Sequence, residues 1–284
     1  LGDLVSEYVT INEPNVYAFN GYFEGTWPPG RKSFLEMSRV MTNMAAAHIE
    51  AYGLIRKTRL QMGFGDTRVG FANHLRVFAP KDQENPLHRF WASRVEQLFQ
   101  GSLTRAMCMG RTAFPIGKHP SIVPGRYCDF LGVNYYTRST VSGPADGVAE
   151  GRPVNDLGWE IYPEGIEAVC RKMYELVQRP IYITENGVCD NTDAFRARYI
   201  AEHLKVLCES GLPVERYYHW CFCDNWEWVE GNAARFGLVH VDYESQRRTV
   251  KRSGRFYQRV IEERGVSEAL WREFCAYPTD GEET

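Results

Sequence analysis

Five short apolar runs, each rich in β-branched or aromatic residues and each followed by a longer helical stretch, constrain what this chain can fold into more than any other feature. The runs are Tyr8 to Asn12, Arg68 to Ala72, Phe130 to Asn134, Ile181 to Thr184 and Tyr217 to Phe222. Helical stretches follow at Phe34 to Thr58, Asn85 to Phe99, Pro163 to Leu176 and Asp193 to Ser210, with a last one at Val250 to Glu263. Strands buried on both faces read as continuous apolar runs, and parallel neighbours need a helical crossover. The order βαβαβαβαβα therefore predicts an α/β fold with a parallel sheet. Pro163 stands where a helix begins without losing a bonded N–H, and Gly211 where one can stop. Residues 1–284, 44% of them hydrophobic, are read as a single domain with one sizeable core.

A closed eight-stranded barrel takes about 250 residues, so the length could hold one, but only five β/α units can be read. Either long loops hide strands, or the chain is the C-terminal part of a larger barrel whose first three units lie upstream. Tyr8 to Asn12 reads as an interior strand close to the first residue, which favours the second expectation.

Composition excludes several classes. With 33 basic and 36 acidic residues the net charge is -3, and no stretch concentrates Lys and Arg among aromatics as a nucleic-acid surface requires. No apolar run approaches the roughly 20 residues of a membrane span, and no basic-then-apolar leader opens the chain, so a cytoplasmic protein without a membrane partner is expected. The eight cysteines form no C-x-x-C pair and are expected to be reduced thiols. The seven histidines show no metal-ligand spacing, so each is expected at the surface or in the core, with no metal and no cofactor. Gly63, Gly65 and Gly70 precede an apolar run instead of following one and are not read as a phosphate loop.

Carboxylates just after apolar strands come next, because side chains at the C-terminal ends of barrel strands converge on one site. Glu13 follows Tyr8 to Asn12 and precedes Pro14; Glu185 follows Ile181 to Thr184 and precedes the turn formers Asn186 and Gly187. One such carboxylate could simply cap a helix or meet an Arg. Two together suit glycosidic hydrolysis, in which one carboxyl group protonates the leaving oxygen and the other attacks the anomeric carbon. The segment His219 to Trp228 adds three Trp and two acids at the end of the last strand, a mixture apt for stacking on pyranose rings and accepting from hydroxyls. Trp226 is expected to be core.

On these residues the chain resembles glycoside hydrolase family 1, the β-glucosidase family. Thr10-Ile11-Asn12-Glu13-Pro14 is similar to its acid/base motif and Ile183-Thr184-Glu185-Asn186-Gly187 to its nucleophile motif. Gly132 to Thr137, Gly158 to Gly165 and Arg235 to Leu238 add supporting segments in family order. The resemblance implies a (β/α)8 TIM barrel of which this chain holds strands 4 to 8, with the first three β/α units absent. It implies catalytic Glu13 and Glu185, and substrate-binding Asn12, Asn134, Tyr136, Trp220, Glu227 and Trp228. Tyr136 would donate to Glu185 and keep it ionised, while Glu13 stays protonated. The implied partner is a small-molecule β-glycoside or oligosaccharide, unphosphorylated because Glu227 would repel a 6-phosphate.

The family's upstream third supplies further sugar contacts and an Arg beside the nucleophile, and none of these is in the sequence. The chain alone is thus expected to be poorly folded or inactive unless a companion N-terminal segment completes the barrel. Two other readings stay open: a barrel fragment that binds sugar without cleaving it, and a transglycosidase that resolves the same intermediate with another acceptor.

Overall fold

The computed structural model describes residues 2–144 and 146–276. Its main sheet contains β1 (Glu7–Asn12), β2 (Arg68–Pro80), β3 (Leu131–Val141), a two-residue β4 (Asp146–Gly147), β5 (Ile181–Gly187) and β6 (Val214–Trp220). The five longer strands are all parallel, in the spatial order β1-β2-β3-β5-β6, and β4 pairs antiparallel with β3. A separate hairpin is made by β7 (Val239–Val241) and β8 (Arg248–Val250).

Each expected strand is present, but β2, β3 and β5 run further than expected, and the last, expected over Tyr217 to Phe222, lies at Val214–Trp220. Beyond Ala72 and Asn134 the polar residues Asn73, His74, Arg76 and Arg138 interrupt the apolar pattern, yet β2 and β3 go on pairing with each other to Pro80 and Val141. Central strands are buried along most of their length, whereas the terminal strands carry Val9 at 47% and Tyr218 at 50% exposure. The outer ladder groups of β1 and β6 have no strand partner among the described residues, so the sheet is an open part-barrel.

The helices are α1 (Pro14–Ala18), α2 (Phe34–Gln61), α3 (Pro86–Glu96), α4 (Ser102–Met109), α5 (Glu164–Val177), α6 (Arg196–Glu209), α7 (Arg252–Glu263) and α8 (Glu268–Phe274). None is long and apolar enough to cross a membrane. Helix α2 starts at a cap in which Ser33 Oγ accepts from the Glu36 N–H at 3.3 Å. Asn85 caps α3 in the same way, with Pro86 at its first position. The helix expected to end at Phe99 instead passes through a π-helical turn, Gln97–Gly101, into α4. Gly110 stops it at φ 59°, where a Cβ would also lie 1.8 Å from the Val123 carbonyl oxygen.

Helices α2, α4 and α5 cover one face of the sheet, burying Met37, Met41, Leu103, Met107, Ile166 and Val169 against Phe71, Val133 and Ile183. A second core joins α6, α7 and α8 through Ile200, Phe256, Val260 and Leu270. Val250, expected in the last helix, pairs instead with Val239, and α7 begins at Arg252.

Helix α6 begins at Arg196 because of a buried carboxylate. Asp190 accepts from the backbone N–H groups of Ala194 (3.0 Å), Phe195 (2.8 Å) and Arg196 (2.8 Å), and so satisfies donors that the helix start leaves unpaired. Asp190→Ala should lower stability by about 2 kcal/mol while Asp190→Asn loses less, as read from the urea midpoints of the two variants.

Candidate active site

In a flat sheet, three strand spacings of about 4.8 Å would separate β1 from β5 by roughly 14 Å. Asn12 Nδ2, at the end of β1, nevertheless donates to Glu185 Oε1, on β5, at 3.2 Å. The sheet is therefore curled, and the C-terminal ends of its strands converge on a cavity of about 260 Å³.

Register irregularities aim the carboxylates into it. Val9 pairs with Gly70 and Asn12 with Ala72, so β1 uses three residues where β2 uses two just before Glu13. Val133 pairs with Ile183 and Asn134 with Glu185, an extra residue on β5. Such bulges re-aim side chains that strict alternation would send to opposite faces. Pro14 disfavours the right-handed helical region for Glu13, which sits at φ 46°, ψ 52° as the residue before α1. Its carboxylate turns back over the sheet, where Oε1 meets Asn134 Nδ2 at 3.0 Å and His74 Nδ1 at 3.2 Å.

Glu185 is held from the other side. Tyr136 donates its hydroxyl to Oε2 at 2.6 Å, and the next residue, Asn186, is fully buried and bonded to Tyr135, Tyr199 and Tyr217. Asn134 is itself fully buried, so it lies beneath the cavity as a brace and is not part of its wall, contrary to expectation.

Aromatic side chains build the remaining wall. Trp220 donates its indole N–H to Glu227 Oε1 at 3.2 Å, and Asn225 donates to the same oxygen at 3.1 Å. Trp228 lines the cavity with its ring stacked on Trp27, centroids 4.0 Å apart and planes 5° off parallel. Trp226 is 63% exposed and not core: it stands outside the cavity, its ring tilted beside Trp228 with centroids 6.1 Å apart. His74, Arg76, Trp27 and Trp159 also line the cavity, beyond the site residues that the sequence points to. The sequence signal for His74 and Arg76 is their alternation with Leu75 along β2, visible only once the strand is known to extend past Ala72.

The family model described as Glycosyl hydrolase family 1 matches residues 1–266 of the chain. The chain belongs to this family. A β-galactosidase of Saccharolobus solfataricus is 31% identical over 299 residues, covering 94% of this chain and 57% of that protein. β-Glucosidase A of Thermotoga maritima is 30% identical over 298 residues, covering 94% and 66%. The solved structure of a β-glycosidase from Pyrococcus horikoshii superposes with a TM-score of 0.83 at 31% identity, covering 95% of this chain and 64% of that one. This family 1 chain thus spans between about half and two thirds of the length of its relatives, and its five parallel strands are a partial (β/α)8 barrel.

The electrostatics of the family 1 chain reverse one expectation. Burial, the neighbouring Glu13 charge and Glu227 raise the Glu185 carboxyl to about 7, against the lowering effect of Tyr136 and Asn12. Burial also pushes Glu13 up, but the hydrogen bonds from His74 and Asn134 and the nearby Arg76 charge outweigh it and hold Glu13 below the usual range. Tyr136 donates to Glu185 as expected without keeping it ionised, since no cation hydrogen-bonds Glu185 among the described residues whereas Glu13 faces two basic side chains.

A raised carboxyl pKa has a definite consequence for stability. The folded chain keeps the Glu185 proton up to about pH 7, whereas the unfolded chain releases it near 4.5, so stability falls as pH rises through that window and is level above it. Glu185→Gln removes the buried charge but offers one acceptor fewer to Asn12 and Tyr136. The variant should be more stable than the parent by about 1–2 kcal/mol at pH 8, with the gain gone by about pH 4.5; thermal melts across that range check it.

Proposed function

We propose that this chain carries the catalytic part of a retaining β-glycosidase, with Glu185 as nucleophile and Glu13 as acid/base. The observation that carries the proposal is the convergence of the two carboxylates on one indole-lined cavity, joined through Asn12, Asn134 and Tyr136. In the first step an ionised Glu185 oxygen attacks the anomeric carbon. The bond to the aglycone oxygen breaks, its electron pair stays on that oxygen, and the Glu13 proton goes to it. In the second step Glu13 takes a proton from water, the water oxygen attacks the same carbon, and the bond to Glu185 breaks with return of its carboxylate.

Asn12, one bond from Glu185, is placed for the sugar 2-hydroxyl, and Trp220 for the floor under the ring. Glu227, positioned by Trp220 and Asn225, would accept from hydroxyls at the far end of the sugar and repel a 6-phosphate. An unphosphorylated β-glucoside, or a related β-galactoside or β-fucoside, fits these groups. Relatives named as β-glucosidase and β-galactosidase support the class.

The resting charge order, with Glu185 above Glu13, is the wrong one for the first step. A companion segment that closes the barrel and brings a cation to Glu185 would invert it, which is why the chain is proposed to act together with such a segment. Release of nitrophenol from aryl β-glucoside, β-galactoside, β-fucoside and 6-phospho-β-glucoside should be negligible for the chain alone and appear with the completed barrel, least for the phosphorylated sugar. Glu185→Gln should lower turnover by more than about a thousandfold. Azide should rescue Glu185→Gly as the inverted glycosyl azide; completed barrels inactive on all four sugars would overturn the proposal.

A further inference from the structure

Behind Glu13 stand two basic residues that the reaction scheme does not use. Arg76 donates Nε–H to His74 Nε2 at 3.0 Å, and guanidinium nitrogens can only donate. Nε2 is therefore the acceptor of a neutral imidazole, and the ring proton lies on Nδ1, 3.2 Å from Glu13 Oε1. Asn134 Nδ2 donates to the same oxygen at 3.0 Å. Oε1 thus faces two N–H donors and has no room for a proton of its own, while no described side chain donates to Oε2.

We propose that His74, oriented by Arg76, is the positioning residue that pins Glu13 Oε1 and so makes Oε2 the oxygen that gives its proton to the aglycone and takes one from water. This inference rests on the assignment of Glu13 as acid/base. The couple is fixed by its surroundings: the His74 side chain is only 8% exposed and its ring stacks on Tyr136, centroids 5.6 Å apart and 15° off parallel. Arg76 lies against Phe99 and reaches Ser139 Oγ at 3.5 Å. Burial holds His74 below the ordinary histidine range, which keeps it neutral and preserves this tautomer.

Ionisable groups facing Glu13 are His74 and Arg76 from β2, Tyr136 from β3, Glu185 from β5 and Glu227 from the loop after β6. The β2 pair favours the carboxylate and the two glutamates oppose it. A couple that stabilises the ionised form keeps Glu13 deprotonated for the water step, in which it is base, and leaves less of it protonated for delivery to the leaving group. It therefore selects aglycones that depart as stable anions, such as acidic phenols.

Carbon-13 NMR of the 284-residue chain labelled at the glutamate δ-carbon, with the Glu13 resonance assigned from Glu13→Gln, tests this without turnover. The Glu13 midpoint should rise by about one pH unit in His74→Leu and by less in Arg76→Met. His74→Asn, which keeps a donor at the Nδ position, should stay near the parent. Midpoints unmoved in both Leu and Met variants, or Asn behaving like Leu, would overturn the inference. In the completed barrel the alkaline limb of kcat/KM should move with the NMR midpoint, and its dependence on leaving-group acidity should become shallower in His74→Leu. A Glu13 midpoint that shifts in a completed barrel inactive on every glycoside would keep the positioning role and sink the glycosidase reading instead.

Discussion

One buried amide ties the site to the sheet. Asn134 accepts from Thr184 Oγ1 at 2.6 Å and donates to Asn12 Oδ1 at 3.1 Å and Glu13 Oε1 at 3.0 Å, so a single side chain on β3 bridges β1 and β5. Burial makes each of these bonds expensive to break, because an unpaired amide group away from water costs about 1–3 kcal/mol. With its oxygen and its nitrogen both engaged, Asn134 holds the strand ends at one separation, and the curl of the sheet at the site is fixed with them. The bulge beside it brings Thr184 and Glu185, which would otherwise point to opposite faces, to the same end of β5.

Charge is distributed against that frame unevenly. Both basic side chains near the carboxylates come from β2 and serve Glu13, while Glu185 receives only neutral donors. A buried carboxyl with neutral donors and two acidic neighbours is pushed up, as Glu185 is, to about 7. This is a site in which local stability and catalytic readiness pull in opposite directions. The open sheet points the same way: cavity and wall are assembled, but the outer edges of β1 and β6 carry ladder groups with no strand to meet among the described residues.

How much of this could be read from the chain differs from residue to residue. Ile181 to Thr184 is an unbroken apolar run followed by a carboxylate, so the strand and Glu185 are legible, whereas its end is not, because the turn formers Asn186 and Gly187 pair on with β6. His74 was not. It lies where Asn73, His74 and Arg76 interrupt the apolar run, and with the strand read as ending at Ala72 it reads as an ordinary surface or core histidine. Trp226 misleads for the opposite reason: three indoles close together suggest a core, and only the tertiary structure, in which Trp228 faces the cavity and Trp226 stands beside it, puts this one at the surface. The hairpin of β7 and β8, three residues a strand, is too short for periodicity to register.

The sequence by itself determined the parallel β/α order, the five strands and the two carboxylates at strand ends, because each depends on residues next to one another along the chain. Tertiary structure alone decided which oxygen of Glu13 is pinned, that Asn134 braces the site from below, and that Glu185 holds its proton more tightly than Glu13. Those properties arise from groups on different strands brought within about 3 Å of each other, where burial and neighbouring charge act over distances that no local pattern records.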